Sequence, residues 1–136
     1  MTDNTAPHAL IVDDDVLIRM EAADILMDAG FRPWEACDSN DAIKILEESG
    51  EQIQLLFTDV HMPGRLDGFG LARECAARWS HIKILVASGQ AKPGPADMPD
   101  NAVFIGKPFS AEVVHAHLHK ILPDGQKPEP LKRREM

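Results

Sequence analysis

The sequence predicts an α/β fold in which helices cover both faces of a five-stranded parallel sheet. Short apolar runs suited to buried strands alternate with longer segments whose apolar residues repeat at helical spacing. Glycine, proline and helix-capping residues separate these segments at short intervals. The resulting order, β-α-β-α-β-α-β-loop-β-α, is typical of a doubly wound sheet with right-handed crossovers.

Two strands and the helix between them come first. The apolar run ALIV (9–12) is long enough for a buried strand, and apolar residues repeat at helical spacing through 16–30 until Gly30 stops the helix. Residues 31–36 then alternate with period two, which indicates a second strand. Because Pro33 has no N–H to donate to a sheet ladder, we expect this strand at an edge of the sheet.

The middle of the chain repeats this alternation. Residues 39–50 begin with capping residues and end in glycine, which predicts a helix. The apolar segment 53–58 predicts a strand, 68–79 a helix and 82–88 a fourth strand. Short apolar strands separated by helices are typical of a parallel sheet that is buried on both faces.

The last third departs from the alternation before resuming it. Three prolines and two glycines within 89–101 oppose a regular helix, so the fourth helix is expected to be short or replaced by a loop. The run 102–105 predicts a fifth strand, and 110–122 a capped final helix. The polar, proline-rich segment 123–136 is expected to be a disordered tail, too short for an effector domain, after a single domain over 1–122.

Size, charge and cysteine content narrow the class of protein. At 136 residues the chain fits one domain, and its net charge of −8 argues against non-specific binding to nucleic acid or anionic membranes. No apolar run approaches the ~18 residues of a membrane span, and no signal sequence opens the chain. Cys37 and Cys75 lack metal-site spacing and are expected to be free thiols. These features predict a cytoplasmic protein with no nucleic-acid or membrane partner.

Polar residues stand where the predicted strands end. Parallel strands have their carboxyl ends at one edge of a sheet, and ligands bind beyond that edge, so these residues are expected to converge there. Asp13 and Asp14 follow the first strand, Asp59 follows the third, Ser88 ends the fourth, and Lys107 follows the fifth.

Three carboxylates in a small space repel one another strongly. One lysine leaves a net charge of about −2, which suits a divalent cation, and ligands that are all oxygen favour Mg²⁺ over zinc. The alternative is that one carboxyl group keeps its proton. A carboxylate beside Mg²⁺, a lysine and a hydroxyl can attack phosphorus, which predicts an aspartyl phosphate at Asp59.

Four stretches carry a family resemblance: IVDDD, FTDVHMPGRLDG, LVASG and FIGKPF. With them, residues 8–122 resemble the receiver domain of bacterial two-component response regulators. The resemblance implies a flavodoxin-like fold with strand order 2-1-3-4-5. It also implies that Asp59 is the phosphoacceptor, served by a histidine kinase or a histidine phosphotransfer protein.

The resemblance assigns roles to the metal ligands. It implies that Asp14 and Asp59 bind Mg²⁺ through their side chains and that His61 does so through its backbone carbonyl. Asp13 is expected to act largely through metal-bound water.

The resemblance also assigns roles in switching. Ser88 and Phe104 occupy the two positions that reorient after phosphorylation in the family. Lys107 is expected to pair with the acyl phosphate, and the Lys107–Pro108 peptide bond is expected to be cis.

Three features depart from the family pattern. The loop MPGRLDG (62–68) is one residue longer than the common form, so we expect it to bulge. Pro93, Pro95 and Pro99 erode the helix through which many members dimerise, so a monomer or weak dimer is expected. Phe104 replaces a frequent tyrosine and has no phenolic hydroxyl.

Histidines leave two questions open. His115 and His119 share a helical face and either bind zinc or nickel or, as we favour, belong to solvated helix surface. The ring of His61 either shields the phosphoryl group from water, guides a water towards it, or points to solvent.

The leading hypothesis is a stand-alone, phosphorylation-controlled switch. It would act on an unidentified downstream protein by contact or by onward phosphotransfer. It is not expected to be an enzyme, although it assists its own phosphorylation and dephosphorylation. One alternative is a Mg²⁺-dependent aspartyl-phosphate hydrolase, disfavoured because His61 stands where such enzymes carry a second aspartate. The other is a receiver-like binding module that is not phosphorylated.

Overall fold

The computed structural model describes residues 6–62, 64–89, 94, 97–99, 102–122, 128, 130 and 131. Every predicted strand and helix is present, with ends shifted by at most two residues. The elements are β1 His8–Val12, α1 Val16–Asp28, β2 Arg32–Ala36, α2 Ser39–Ser49, β3 Ile53–Asp59, α3 Gly68–Arg78, β4 Lys83–Ser88, β5 Ala102–Gly106 and α4 Ala111–Ile121. One 3-10 turn, Gly50–Gln52, joins α2 to β3.

The five strands form one parallel sheet in the order β2-β1-β3-β4-β5. This confirms the predicted flavodoxin-like arrangement. It also confirms the edge position of β2, where Pro33 pairs with Ala9. Because all strands are parallel, their carboxyl ends lie along a single edge.

Alternating residues of β1 show why two layers of helix are needed. Ala9 and Ile11 belong to the apolar core shared with α1 and α4, whereas Leu10 and Val12 belong to the core shared with α2 and α3. All four side chains are fully buried. Full burial of an aliphatic side chain contributes about 1.5–3 kcal/mol, so both layers of helix stabilise β1, which lies inside the sheet.

Each helix begins at a side chain that caps its free N–H groups. Asp15 caps α1 by accepting from the N–H of Leu17 at 2.9 Å. The other caps are Asp38 for α2, Asp67 for α3 and Ser110 for α4. Such a cap contributes about 1 kcal/mol, and it also fixes where each strand-to-helix loop ends.

The connection between β4 and β5 is described only at Gly94 and 97–99, and it is not helical at those residues. There, the N–H of Asp97 donates to the Gly94 carbonyl, and Arg73 on α3 donates to the Asp97 carbonyl at 2.7 Å. Met98 packs against the core beneath α2 and α3. The rest of the eroded fourth helix lies outside the described residues, and the monomer or weak dimer stays a prediction.

The C-terminal segment differs from the expected disorder where it is described. Leu131 is fully buried in the core shared by α1 and α4, and Pro128 is buried as well. Pro128 and Pro130 lie against Gly30, at the turn between α1 and β2. The polar, proline-rich composition of this segment gave no sign that Leu131 packs in the core. Most other residues of 123–136 lie outside the described residues.

The final helix corrects the interpretation of its histidines. His115 is buried, and its Nε2 lies 3.1 Å from the carbonyl oxygen of Ile25 on α1. The assignment of His115 to solvated surface is therefore wrong: the ring joins α4 to α1 through a polar contact inside an apolar layer.

The cysteines behave as predicted. Both are free; Cys37 is exposed and Cys75 is buried. Burial raises the pKa of the Cys75 thiol to about 12. Among the described residues, no helix is both long and apolar enough to cross a membrane.

Candidate functional site

The strand ends place the site residues as the topology requires. Asp59 ends β3 beside Ala87 of the neighbouring strand β4, and Ser88 follows Ala87 as the last residue of β4. Asp13 directly follows β1, and Lys107 directly follows β5. Residues separated by up to 94 positions in the sequence therefore meet at one edge of the sheet.

Three carboxylates and one ammonium group form the centre of the site. Carboxylate oxygens of Asp13, Asp14 and Asp59 all lie within 4.8 Å of one another. Lys107 Nζ donates to Asp13 Oδ2 at 3.0 Å and to Asp59 Oδ1 at 2.9 Å. One cation thus bridges two buried anions, and one further negative charge remains beside them.

Burial and charge act in opposite directions on this cluster. Burial raises the pKa of Asp59, and the negative charge of Asp13 adds to the rise, against the opposing hydrogen bond and charge of Lys107. Burial alone would lower the pKa of Lys107, but hydrogen bonds and attraction to Asp59 and Asp13 outweigh it and raise that pKa. The lysine therefore stays protonated, while Asp59 ionises less readily than an ordinary aspartate.

The loop after β1 is fastened by its own backbone. Asp13 Oδ1 accepts from the N–H of Asp15 at 2.9 Å, and the N–H of Asp13 donates to the Ala36 carbonyl at 3.2 Å. Asp14 lies between these anchors, is exposed, and accepts no hydrogen bond from the described part of the chain. Its carboxylate is the member of the cluster with the most open coordination.

A cavity of about 300 Å³ opens beside Asp59. It is lined by Asp59, His61, Ser88, Gly89 and Lys107. At about 30 Å³ per water molecule, it has room for a tetrahedral anion and several waters. Ser88 is almost fully buried, whereas the side chain of His61 is exposed at the rim.

The longer loop after β3 rests on the start of α2. Leu66 N–H donates to Ser39 Oγ at 3.0 Å, and Arg65 N–H donates to Asn40 Oδ1 at 3.2 Å. Gly64 adopts φ +121°, a conformation that favours glycine, and packs against Ser39. The described part of the loop is therefore docked on α2, and the expected bulge stays a prediction because Pro63 lies outside the described residues.

Gly68, the first residue of α3, is set against the strand end that carries Asp59. Its N–H donates to the Val60 carbonyl at 2.8 Å. A Cβ at this position would overlap the carbonyl oxygen of Asp59. Only glycine allows α3 to start this close to the acidic residue.

Two features implied by the family resemblance can be compared with the structure. The Lys107–Pro108 peptide bond is cis, as expected. Phe104 on β5 is partly buried and packs against the core beneath α2 and α3. Without a hydroxyl, its ring has only apolar contacts to gain from moving further inward.

The donor set fits a hard divalent cation. It consists of three carboxylates with oxygens within 4.8 Å of one another and has neither cysteine nor histidine side chains. Oxygen-only ligands favour Mg²⁺ or Ca²⁺ over zinc. With Lys107 bound to two of the carboxylates, a net negative charge remains to attract a cation.

Sequence reasoning missed the residues that support the acidic loop. Arg19 on α1 donates from Nη1 to the Asp13 carbonyl at 2.8 Å and from Nε to Glu35 at 2.9 Å. The sequence did hold a signal for this contact: Arg19 follows the acidic run 13–15 by one helical turn, and the acidic Glu35 lies in the next strand. The contacts of Ser39 and Asn40 with the 64–66 loop had no comparable signal.

Comparisons with known proteins agree with this geometry. Residues 9–119 match the family model described as response regulator receiver domain. The chain is 32% identical over 116 residues to sensor kinase CckA of Brucella abortus (strain 2308), an alignment that covers 83% of this chain and 12% of that protein. It is 33% identical over 108 residues to a response regulator described as NtrX-like from Rickettsia bellii (strain RML369-C), covering 74% of this chain and 22% of that protein.

Solved structures show the same relationship. The receiver domain of NtrX from Brucella abortus superposes with a TM-score of 0.73 at 30% identity, covering 84% of this chain and 97% of that one. The receiver domain of the hybrid histidine kinase CckA gives a TM-score of 0.73 at 28% identity, covering 85% of this chain and 99% of that one. The chain spans less than a quarter of these two curated relatives, 12% and 22%. From its fold, its matched residues and these relatives, the chain belongs to the response regulator receiver domain family of two-component signalling.

Proposed function

We propose that Asp59 accepts a phosphoryl group and that this modification switches the domain between two states. The observation that carries the proposal is the single Lys107 ammonium bridging Asp13 and Asp59 beside a solvent-open cavity. A purely structural ion pair would need one carboxylate for one lysine. Here a third carboxylate, from Asp14, lies within 4.8 Å and leaves excess negative charge at the rim.

The chemistry is an in-line transfer to a carboxylate. A carboxylate oxygen of Asp59 forms a bond to phosphorus as the P–N bond of a phosphohistidine breaks and the imidazole leaves with the electron pair. The Lys107 ammonium offsets charge on the phosphoryl oxygens, and the Ser88 hydroxyl can donate to one of them. A bound Mg²⁺, held by Asp14, Asp59 and the His61 carbonyl with Asp13 acting through water, would neutralise further phosphoryl charge.

Switching follows from contacts that exist in only one state. In the unmodified protein, Lys107 is engaged by Asp59 Oδ1 at 2.9 Å. An acyl phosphate carries more charge and more acceptor oxygens, so it competes for this lysine and for the hydroxyl of Ser88. Such differential contacts shift a two-state equilibrium by about 1–3 kcal/mol in typical cases. Phe104, which is partly buried, is the residue that we propose to follow this shift.

The partners follow from the same site. The donor we propose is a histidine kinase or a histidine phosphotransfer protein, and the output is contact with a downstream protein or onward phosphotransfer. We also infer that the domain does not turn over external substrates. The exposed His61 side chain, two residues after Asp59, supports this, because it replaces the second carboxylic acid that a hydrolase would use.

The test is labelling with a small phosphodonor. We expect acetyl phosphate with Mg²⁺ to add an acid-stable, base-labile phosphoryl group to the wild type and to the surface control Asp24→Asn, but not to Asp59→Asn. Mass spectrometry of the intact protein measures this directly. No labelling, or labelling that survives Asp59→Asn, refutes the proposal. Sustained release of phosphate from an external phosphomonoester would favour the hydrolase, and partner binding unchanged by Asp59→Asn would favour an unphosphorylated binding module.

A further inference from the structure

Arg19 connects α1 to two neighbouring strand ends. Its Nη1 donates to the Asp13 carbonyl oxygen at 2.8 Å, and its Nε donates to Glu35 Oε1 on β2 at 2.9 Å. The Arg19 side chain is 18% exposed and that of Glu35 is 42% exposed. The guanidinium is therefore held between a helix, a strand and the acidic loop, and it touches none of the three cluster carboxylates.

The contact with the Asp13 carbonyl bears on the residue that follows. A peptide unit is planar, so fixing the carbonyl of Asp13 also fixes the direction in which the chain enters Asp14. Among the described residues, no hydrogen bond reaches the Asp14 carboxylate, so its position depends on this backbone. On the other side, the N–H of Asp15 is fastened to Asp13 Oδ1 at 2.9 Å.

We propose that Arg19, itself oriented by Glu35, is a positioning residue that sets the backbone of the acidic loop and thereby the affinity of the site for a divalent cation. The proposal rests on the cation site of the proposed function. It concerns geometry, because Glu35 neutralises the guanidinium and Arg19 does not touch the cluster carboxylates. Outer partners of metal ligands typically affect affinity by about 10–100-fold when they are removed.

Charge and geometry predict opposite changes in Mg²⁺ affinity when Arg19 is replaced, which makes the proposal testable. A positive guanidinium near a cation site repels the cation, so if charge alone mattered, Arg19→Gln would tighten Mg²⁺ binding. If Arg19 positions the loop, the same substitution weakens binding. The direction of the change therefore decides between the two roles.

The experiment titrates the unphosphorylated full chain with Mg²⁺ by isothermal calorimetry. We expect Arg19→Gln to weaken Mg²⁺ binding about 10-fold, at the lower end of the range for outer partners. Arg19→Lys restores part of the affinity, because an ammonium can reach the carbonyl or Glu35 but lacks the fork that holds both. Glu35→Gln, which keeps the charge of Arg19 but loosens its orientation, weakens binding less.

The matched control is Arg78, which is paired with Glu47 and Glu74 on α2 and α3. Arg78→Gln loses two surface ion pairs away from the acidic cluster, so we expect its Mg²⁺ affinity to stay within about 2-fold of the wild type. The urea unfolding midpoint, measured for every variant without Mg²⁺, separates positioning from a general loss of stability. If Arg19→Gln does not fold, Arg19→Lys provides the comparison, because it keeps the positive charge and loses only the fork, so weaker binding then reports geometry.

Mg²⁺ affinity that is unchanged or higher in Arg19→Gln, or an equal loss in Arg78→Gln, overturns the proposal, as does a wild type that binds no Mg²⁺. Failure of the proposed function is seen separately. If the wild type binds Mg²⁺ and Arg19→Gln weakens that binding, while acetyl phosphate never labels Asp59, the positioning role stands and phosphorylation fails.

Discussion

Replacing Asp59 by asparagine should stabilise the cation-free protein. The substitution removes a charge from a side chain that is only 10% exposed and keeps an oxygen that can accept from Lys107. Lys107 also keeps its ion pair with Asp13 at 3.0 Å, so no buried cation is left unpaired. We expect the free energy of unfolding at pH 7 to rise by about 1–3 kcal/mol, because the substitution relieves the desolvation cost of one carboxylate, which is several kcal/mol per buried ion.

The magnitude follows from the neighbours of Asp59. The distance limit of 4.8 Å to Asp13 corresponds to about 3.5 kcal/mol of repulsion at an effective dielectric of about 20. The exposed Asp14 adds about 1 kcal/mol if water screens it fully. Lys107, at 2.9 Å, attracts with about 6 kcal/mol on the same scale. Repulsion and attraction nearly cancel. The cost of removing the Asp59 carboxylate from water therefore decides whether Asp59→Asn raises or lowers the free energy of unfolding.

The assay is urea unfolding followed by circular dichroism with EDTA present, from pH 7 to pH 4. The pKa of Asp59 is raised in the folded state, above its ordinary value of 3.8. The folded protein therefore binds this proton more tightly than the unfolded chain does. The stability that Asp59 contributes is complete below that ordinary value and is lost as pH rises through the raised pKa. The advantage of Asp59→Asn should thus shrink as pH falls.

Mg²⁺ supplies an independent check. A cation that binds only the folded state stabilises it by about 2.7 kcal/mol at 100 times its dissociation constant. Saturating Mg²⁺ should therefore narrow or reverse the difference in free energy of unfolding between Asp59→Asn and the wild type, since the variant lacks one proposed ligand. Asp24→Asn, on the exposed face of α1, should change stability by less than about 0.5 kcal/mol. An asparagine variant that is less stable at pH 7 in EDTA, or whose advantage grows towards pH 4, refutes the electrostatic reasoning.

Two further substitutions test packing. Gly68→Ala forces a Cβ into the Asp59 carbonyl oxygen and should cost about 1–3 kcal/mol as an overpacked site, with slower labelling by acetyl phosphate. Gly70→Ala should cost less, because the nearest atoms to its Cβ belong to the side chains of Leu66 and Asp67, at 3.2 Å or more. Equal unfolding midpoints for the two variants would contradict the explanation. Leu131→Ala should cost about 2–5 kcal/mol because the side chain is fully buried; a neutral result, like that expected of the exposed Leu17→Ala, would mean that the tail does not pack in solution.

The sequence was informative where local chemistry determines structure. Apolar runs and caps located the nine strands and helices that the described residues form, and Pro33 placed β2 at the edge, because a missing N–H excludes the interior of a sheet. The convergence of Asp13, Asp59 and Lys107 followed from parallel topology alone, since the carboxyl ends of the strands share one edge. Here a one-dimensional pattern was sufficient for a three-dimensional site.

Long-range contacts of single side chains were less accessible. His115 and Leu131 look like surface residues by composition, yet each fills a place in the layer between α1 and α4. The bond from Arg19 to the Asp13 carbonyl depends on the rotation of α1 relative to β1, which periodicity gives only coarsely. Such contacts depend on the final packing, so the sequence pattern cannot single them out.

The docking of the 64–66 loop on α2 has a consequence for engineering. Leu66 and Arg65 bond through their backbone N–H groups, but Ser39 and Asn40 bond through their side chains. Any residue with a backbone N–H could therefore make these two bonds from positions 65 and 66, whereas the side chains of Ser39 and Asn40 supply the acceptors. In a chimaera with another receiver, the loop and the first turn of α2 must therefore be exchanged together. Otherwise the transplanted loop loses the two side-chain acceptors that hold it on the helix.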